Sequence, residues 1–469
     1  LKIPTEKLGF FVLTKSSSSV CLNPPFHVNC YLLSKMKQPT ISLRTEVLAG
    51  ISTFLAAFYI IVVNPAILST AGMPFSAVLT STVLVSFFGS LTMGLYAKNP
   101  IIVAPGMGIN AFFAFTAVQI YGLSYEQALG TVFWSGVLFL LLSLFKTREK
   151  IIAAIPTELR HAVSAGIGLF ICFIGFQNAH FIVDNPATLV SMALFKDPII
   201  LTFLGGLLLT AVLSLRRIPG ALIYGIVGTT VLAWPIGRWW GDASAVNFGV
   251  PSLVNYTGIW AAPDFSLLFK ADILGSLQFA YLPVLFVFTF TILFDGISTF
   301  VGLSEASGLK EADGSPQNMR KSLLTDSLAT IFAGLVGSSS GTAFIESAVG
   351  IEAGGRTGKT AITAAFLFLP FMFLSPLLSI IPSIASSIAL VLVGSYMLAP
   401  LREIDWRNQE IAIPCFLTLV LMPFTYSLSI GISFGFISWT FLKVFAGKRS
   451  EVPLILYILT LLSIYFLWQ

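Results

Sequence analysis

The chain has 469 residues, of which 56% are hydrophobic and only 10% are charged, and its formal net charge is +5. A soluble domain carries about 25% charged residues, so this composition excludes an ordinary soluble enzyme. The basic residues lie in short stretches between apolar runs, such as 146–150 and 216–217. That placement is typical of cytoplasmic loops and does not favour nucleic-acid binding.

Residues 1–40 differ from the rest of the chain. They contain proline, many serines and two of the four cysteines, and they show no amphipathic pattern. No basic stretch precedes a clean apolar core, so they do not resemble a cleavable signal peptide. We expect the working protein to begin near Met36, with the upstream residues as a poorly ordered extension. The cysteines show no metal-ligand spacing, so no metal site is predicted.

Apolar runs of roughly 20 residues, long enough to cross a bilayer, recur from Glu46 to the C-terminus. We predict fourteen spans, at 46–70, 75–97, 101–119, 127–145, 163–183, 198–215, 219–238, 277–303, 321–336, 341–354, 359–381, 384–400, 411–425 and 427–446. An alternative merges 411–446 into one bent element, and 453–468 is either a further span or an interfacial helix. With both termini inside, every basic stretch is cytoplasmic, which predicts an all-α, multi-pass protein of a plasma or inner membrane.

The connection 239–276 has no long apolar run and falls at the middle of the chain, where an external loop is expected. The chain therefore divides into two halves of about seven spans each. Because seven is odd, duplicated halves would lie in opposite orientations in the membrane. Inverted repeats of this kind are common in secondary transporters.

Two spans are interrupted by small residues. The third contains Pro105 and Gly106, with Asn110 just after the break, and the tenth contains the stretch 337–358, with Glu346 inside it. Each break predicts a short extended piece followed by a half-helix, which is stable at membrane depth only inside protein or beside a watery cavity. Two facing breaks would place backbone N–H groups at the midplane, which predicts a site for a small polar molecule. The alternative is close helix packing through small residues.

Two carboxylates lie at membrane depth, Asp295 in the eighth span and Glu346 in the broken tenth span. A charged side chain at the bilayer centre costs about 2.5 kcal/mol or more, so each needs a partner, a proton or a cavity. A buried carboxylate also suits a group that takes up and releases protons. A structural hydrogen bond between helices is the alternative. For Asp326 we predict only a cap or a hydrogen bond within the ninth span.

Several segments together carry a family resemblance. They are Leu43-Arg-Thr-Glu-Val-Leu-Ala-Gly, Asn64-Pro-Ala-Ile-Leu, Ala104-Pro-Gly-Met-Gly-Ile-Asn-Ala-Phe-Phe, Phe294-Asp-Gly, Gly341-Thr-Ala-Phe-Ile-Glu-Ser-Ala-Val-Gly-Ile-Glu-Ala-Gly-Gly-Arg-Thr-Gly and Ile404-Asp-Trp. The chain resembles the AzgA-like adenine/guanine/hypoxanthine permeases of the nucleobase–cation symporter-2, or xanthine/uracil permease, family. The resemblance runs from about Arg44 to the C-terminus, and the long tenth-span block is specific to the AzgA-like branch.

The resemblance implies seven plus seven inverted spans arranged as a core domain and a gate domain. The core would comprise 44–150 (spans 1–4) and 277–381 (spans 8–11). The gate would comprise 160–240 (spans 5–7) and 384–469 (spans 12–14), with 241–276 as the external connection. Related transporters of this architecture often dimerise through the gate domain, so a homodimer is one expected assembly.

The resemblance also implies proton-coupled uptake of purine nucleobases, with H⁺ as the coupling ion and no cofactor or metal. Glu346 would accept N–H groups of the purine, and Asp295 would contact the substrate; both are candidates for proton coupling. The full predicted contact set is Glu346, Asp295, Asn110, Gly341, Thr342, Phe112 and Phe294.

A purine agrees with this set because it is flat and neutral and displays N–H donors beside ring-nitrogen acceptors. A carboxylate can accept two adjacent N–H groups, and an aromatic ring can stack on the base. The stacking candidates are Phe112, Phe113, Phe294 and Phe344, and the sequence does not choose between them.

Four other functions are the alternatives. An anion transporter of the same architecture would be expected to present a cation or bare helix ends where this chain places two acids, and a transporter of uracil or xanthine is a second alternative. A membrane-embedded enzyme is not favoured, because no HExxH, DDxxD or Cys-His grouping occurs within the spans. A channel needs no duplicated site at the midplane.

Overall fold

The computed structural model describes residues 42–144, 155–216, 218, 220–244, 252–256, 258–307, 309–311 and 316–468. The predicted extension 1–40 lies outside the described residues. The described chain is mostly helical, and eight of its helices are long and apolar enough to cross a membrane. This agrees with the predicted class, a polytopic helical membrane protein.

The first half of the chain is a series of helices with one short strand at the predicted break and one hairpin. Its elements are α1 (Leu43–Ala57), α2 (Ile60–Ser69), α3 (Phe75–Thr92), β1 (Val103–Ala104), α4 (Met107–Ala111), α5 (Tyr125–Leu144), α6 (Thr157–Asn178), β2 (Ile182–Asn185), β3 (Leu189–Met192), α7 (Pro198–Leu215) and α8 (Ala221–Ala233). π-Helical turns extend α3 through Met93–Ala97 and α4 through Phe112–Ile120. The antiparallel hairpin of β2 and β3 was not predicted from the sequence.

The second half repeats the pattern of long helices with one strand at the break. Its elements are α9 (Leu282–Ser307), α10 (Met319–Val336), β4 (Thr342–Ala343), α11 (Ser347–Glu352), α12 (Gly358–Phe368), α13 (Ser375–Leu378), α14 (Ser383–Tyr396), α15 (Gln409–Phe424), α16 (Leu428–Phe445) and α17 (Leu454–Trp468). Single 3₁₀ turns at Leu369–Phe373 and Ala399–Glu403 follow α12 and α14.

The region 411–446 forms two helices, so the alternative that merged it into one bent element is wrong. Tyr426, between α15 and α16, has a φ of +55°, which a continuing right-handed helix does not allow. Ser427 then caps α16 by accepting the backbone N–H of Ile430. The stretch 453–468 forms α17, which packs against α16.

The two interrupted spans meet through their extended pieces. β1 pairs antiparallel with β4, with Val103 opposite Ala343 and Ala104 opposite Thr342. The backbone N–H of Phe344 also donates to the carbonyl of Ile102 at 3.0 Å. The predicted sequence of an extended piece followed by a short helix is confirmed at both breaks, where α4 follows β1 and α11 follows β4.

The helices around the breaks pack closely. α1 contacts α11 and α12, α5 contacts α10, and α6 contacts α14 and α15. Glycine makes the contact between α1 and α11 possible, because a Cβ on Gly350 would lie 1.8 Å from the hydroxyl of Thr53. The second broken segment is therefore held against the first span along its length.

Candidate functional site

A cavity of about 310 Å³ lies where the two broken segments meet α1, α6, α9 and α14. Asp295 and Glu346 line it, together with Ser164, Thr291 and Thr299. Among the described residues that line it there is no lysine, arginine or histidine. The site therefore presents acceptors and no fixed positive side chain.

The first broken segment supplies one wall of this cavity through its backbone. Gly106 precedes the first turn of α4 and lines the cavity together with Met107 and Gly108. A Cβ on Gly106 would lie 2.8 Å from Thr342 Oγ1 and 3.4 Å from Asp295 Oδ2. Glycine at this position thus brings the first break close to β4 and to the acid of α9.

Glu346 immediately precedes α11 and is partly open to the cavity. The hydroxyl of Tyr59 donates a hydrogen bond to Glu346 Oε1 at 2.5 Å. Tyr59 lies between α1 and α2, is 1% exposed and lines the same cavity. The sequence analysis did not identify Tyr59, because a single tyrosine in an apolar span gives no sign of a partner 287 residues further along the chain.

Asp295 extends from α9 into the cavity, where its carboxylate lies beside the hydroxyl of Thr342. The next residue, Gly296, packs against a third carboxylate, because a Cβ there would lie 2.9 Å from Asp326 Oδ2. Asp326 itself is fully buried in α10. Three acids from three different segments therefore lie around β4.

Asp326 supports the backbone of the second break. Its Oδ2 accepts the N–H of Ala343 at 3.3 Å, the N–H that points away from β1. Ser90 of α3 does the same for the first break, since its Oγ accepts the N–H of Val103 at 3.0 Å. The sequence prediction of a hydrogen bond within the ninth span missed this contact with β4. The sequence signal that could have indicated this contact was the position of the Asp326 carboxylate in the middle of a span.

The seven predicted contact residues lie in different places relative to this cavity. Glu346 and Asp295 line it, and Phe294 lines the adjoining cavity described below. The remaining four line neither of these two cavities: Asn110, Gly341, Thr342 and Phe112. Their contact with a ligand stays a prediction.

These four residues pack behind the cavity wall. Asn110 is fully buried, and its side-chain oxygen accepts a hydrogen bond from the hydroxyl of Ser339. Phe112 packs edge-to-face on Phe288, with 4.8 Å between ring centroids. Of the four aromatic candidates for stacking, only Phe344 lines the 310 Å³ cavity among the described residues.

A second cavity, of about 430 Å³, adjoins the first and shares lining residues with it, including Ser164, Asp295 and Met397. It extends to Arg160 and Arg402, on the side that the sequence analysis assigns to the cytoplasm. The two cavities therefore extend together from Glu346 and Asp295 toward that side.

Comparisons with known proteins agree with this architecture. A model of the Permease family matches residues 44–461. The chain is 39% identical over 432 residues to the adenine permease AdeP of Escherichia coli (strain K12), covering 92% of this chain and 94% of that protein. It is 39% identical over 426 residues to the guanine/hypoxanthine permease PbuO of Bacillus subtilis (strain 168), covering 90% of this chain and 96% of that protein.

Among solved structures, the transmembrane domain of a cyanobacterium bicarbonate transporter, BicA, matches with a TM-score of 0.62 at 17% identity. The match covers 84% of this chain and 98% of that chain. At this identity the likeness shows a shared fold and carries no information about the ligand.

Proposed function

The chain belongs to the permease family that contains adenine and guanine/hypoxanthine permeases, and we propose that it imports purine nucleobases by proton symport. It is a multi-pass membrane protein and a transporter rather than an enzyme. The proposal includes alternating access across a bacterial inner membrane, with hypoxanthine, guanine and adenine as the candidate substrates.

The observation that carries the proposal is the 310 Å³ cavity with Glu346, Asp295 and Phe344 in its wall. Its volume lies at the lower end of the range for small-molecule sites, about 300–1,000 Å³. Glu346 offers acceptor positions to adjacent N–H groups of a base, and Phe344 offers an aromatic face for stacking. Gly106 and Gly108 allow the ring to approach the backbone closely.

Asp295 is the proposed site of proton coupling. It lines both cavities, so it lies between the base-binding region and the path toward the cytoplasmic side. A carboxylate there can hold a proton while the site is enclosed and release it when the path is open to water. Asp295 and Glu346 line the same cavity, so protonation of Asp295 would reduce the repulsion between the two carboxylates when Glu346 binds the base.

The adjoining 430 Å³ cavity supports alternating access. It extends the binding cavity toward the side with Arg160 and Arg402, which is the arrangement expected of a transporter open to the cytoplasm. In the opposite state the same carboxylates would face outward, and the base would enter from there.

Anion transport has weaker support. The structural neighbour that carries bicarbonate shares the fold alone. The described lining of the 310 Å³ cavity contains two carboxylates and no basic side chain, so an anion would be repelled there. Arg160 and Arg402 line only the 430 Å³ cavity.

The test is uptake of labelled hypoxanthine, guanine, adenine, uracil and bicarbonate by cells that lack their own purine permeases and express the full chain. We expect the purines to accumulate and a protonophore to remove the accumulation. Uracil or bicarbonate as the preferred substrate, or no purine uptake although the protein is present in the membrane, would contradict the proposal. Accumulation that survives the protonophore would contradict proton symport alone.

A further inference from the structure

Tyr59 is a polar group of the binding cavity to which the sequence analysis assigned no role. Its ring lies where α1 ends and α2 begins, and it is almost completely buried. The ring centroid is 6.5 Å from that of Phe344, with 35° between the planes. Tyr59 therefore borders the same space as the aromatic residue proposed to stack on the base.

The hydrogen bond from Tyr59 to Glu346 Oε1 is 2.5 Å long, in the range of a short phenol–carboxylate bond. An ionised carboxylate has about four acceptor positions on its two oxygens. The phenol hydroxyl occupies one of them, and the others remain for a ligand. The bond also restricts rotation of a glutamate side chain that would otherwise lose that freedom only when a ligand binds.

Tyr59 is well placed to fix Glu346 because α1 is fastened to the second broken segment at its far end as well. Glu46, near the start of α1, accepts the backbone N–H groups of Arg356 and Thr357, each at 3.2 Å. It also accepts the hydroxyl of Thr360 at 2.6 Å. The segment that carries Glu346 is thus also bonded to α1 beyond the C-terminal end of α11, independently of Tyr59, and α1 leads directly to Tyr59.

We propose that Tyr59 is a positioning residue of the purine site: it holds the Glu346 carboxylate in the orientation that receives the N–H groups of the base. This inference rests on the proposed function. Because the hydroxyl acts before the base arrives, it lowers the cost of ordering Glu346 and so strengthens binding. It takes no part in moving the base across the membrane once bound.

The chain offers a matched control. Tyr281, just before α9, lines neither cavity and donates its hydroxyl to the side-chain oxygen of Gln127 at 3.4 Å instead of to a carboxylate. Tyr59→Phe and Tyr281→Phe therefore remove the same atom, in each case from a tyrosine that donates to a side-chain oxygen. Only the first deletion releases Glu346.

The experiment measures KM and maximal rate of hypoxanthine uptake by both variants and the unaltered protein, with rates corrected for the amount in the membrane. For Tyr59→Phe we expect KM to rise about tenfold with little change in maximal rate, since hydrogen bonds to charged groups have effects of this size. For Tyr281→Phe we expect KM to change less than about twofold. Hypoxanthine affinity of the purified full chain, measured by calorimetry, should fall in parallel with the change in KM.

A third variant tests whether Tyr59 acts through Glu346. In Glu346→Asp the side chain is one methylene shorter, which withdraws the carboxylate from the phenol. Adding Tyr59→Phe to this variant should change KM less than about twofold, because interacting residues are not additive.

Several outcomes would overturn the inference. They are an unchanged KM in Tyr59→Phe, equal effects of the two tyrosine variants, a fall in maximal rate alone, or an undiminished tenfold effect in the Glu346→Asp background. These outcomes leave the proposed function intact as long as the unaltered protein transports purines. If the unaltered protein neither takes up nor binds hypoxanthine, the proposed function and this inference both fail.

Discussion

The two broken segments share one construction and differ in what they present to the cavity. Each has a strand of two residues followed by a short helix, and each strand has its outward N–H accepted by a side chain of a neighbouring helix. Ser90 does this for Val103, and Asp326 does it for Ala343. The backbone arrangement is thus nearly the same in the two halves of the chain.

The polar side chains that follow the two breaks have different surroundings. Asn110 is fully buried and bonded to Ser339, so it joins the first segment to the second. Glu346 faces the cavity and is bonded to Tyr59. A common backbone arrangement therefore joins the two segments through Asn110 in one half and presents Glu346 to the cavity in the other.

The strongest way to test this contrast is Glu346→Gln. The amide is uncharged and puts an NH2 donor in place of one acceptor oxygen, and hydrogen bonds to charged groups are worth about 1.5–3 kcal/mol each. We expect roughly a 100-fold or larger loss of purine affinity, measured by calorimetry on the purified protein. Glu352→Gln, at the exposed end of the same short helix, is the control and should bind normally. Unaltered affinity in Glu346→Gln would remove this residue from the site.

Asp295→Asn separates binding from coupling. The amide keeps the size of the side chain but cannot carry a proton, so accumulation driven by a pH gradient should be lost while exchange of labelled purine continues. Proteoliposomes with and without an imposed gradient provide the measurement. Thr291→Val, on the same helix and in the same cavity, should keep gradient-driven accumulation. If Asp295→Asn still accumulates purine in response to the gradient, the coupling proton is carried elsewhere.

Phe344→Leu should have a smaller effect, confined to affinity. Stacking of a base on an aromatic ring contributes about 1–3 kcal/mol, so KM for hypoxanthine should rise about tenfold. Phe112→Leu is the matched change in the first segment, where the ring packs on Phe288 away from the cavity. The KM of this variant should be unaltered. Equal effects of the two substitutions would show that the two segments do not differ in how they contact the base.

Asn110→Ala should have the smallest effect on binding and a measurable effect on stability. It leaves the Ser339 hydroxyl without its acceptor in a buried place, which costs about 1–3 kcal/mol. We expect a lower midpoint of thermal unfolding in detergent and a KM changed less than about threefold. A rise in KM as large as that of Phe344→Leu would place Asn110 in contact with the base, as the family resemblance implies.

Much of the architecture could be predicted from the sequence because the bilayer imposes length and hydropathy on each span. The two breaks could also be predicted, since Pro105 removes a backbone hydrogen bond, Gly106 weakens a helix, and the serine- and glycine-rich stretch before Glu346 stands out among apolar residues. Acids at membrane depth are costly enough to indicate a site, which is why Asp295 and Glu346 were identified.

The partners of these groups could not be predicted. The contacts of Tyr59 with Glu346 and of Ser90 with Val103 depend on tertiary packing, which no local sequence pattern encodes. The burial of Asn110 behind the cavity wall depends on the pairing register of β1 and β4, which joins opposite halves of the chain and leaves no local pattern. The hairpin of β2 and β3 was not predicted because most of it lies in the short connection between the predicted spans 163–183 and 198–215, where only a loop was expected.

The pairing of β1 with β4 has a mechanical consequence. The two segments are tied by main-chain hydrogen bonds, which do not depend on the identity of the side chains at Val103, Ala104, Thr342 or Ala343. Ordinary substitutions there leave these hydrogen bonds in place, whereas a proline at a hydrogen-bonded position or an inserted residue would remove one or more of them. A movement of one broken segment is therefore expected to move the other with it.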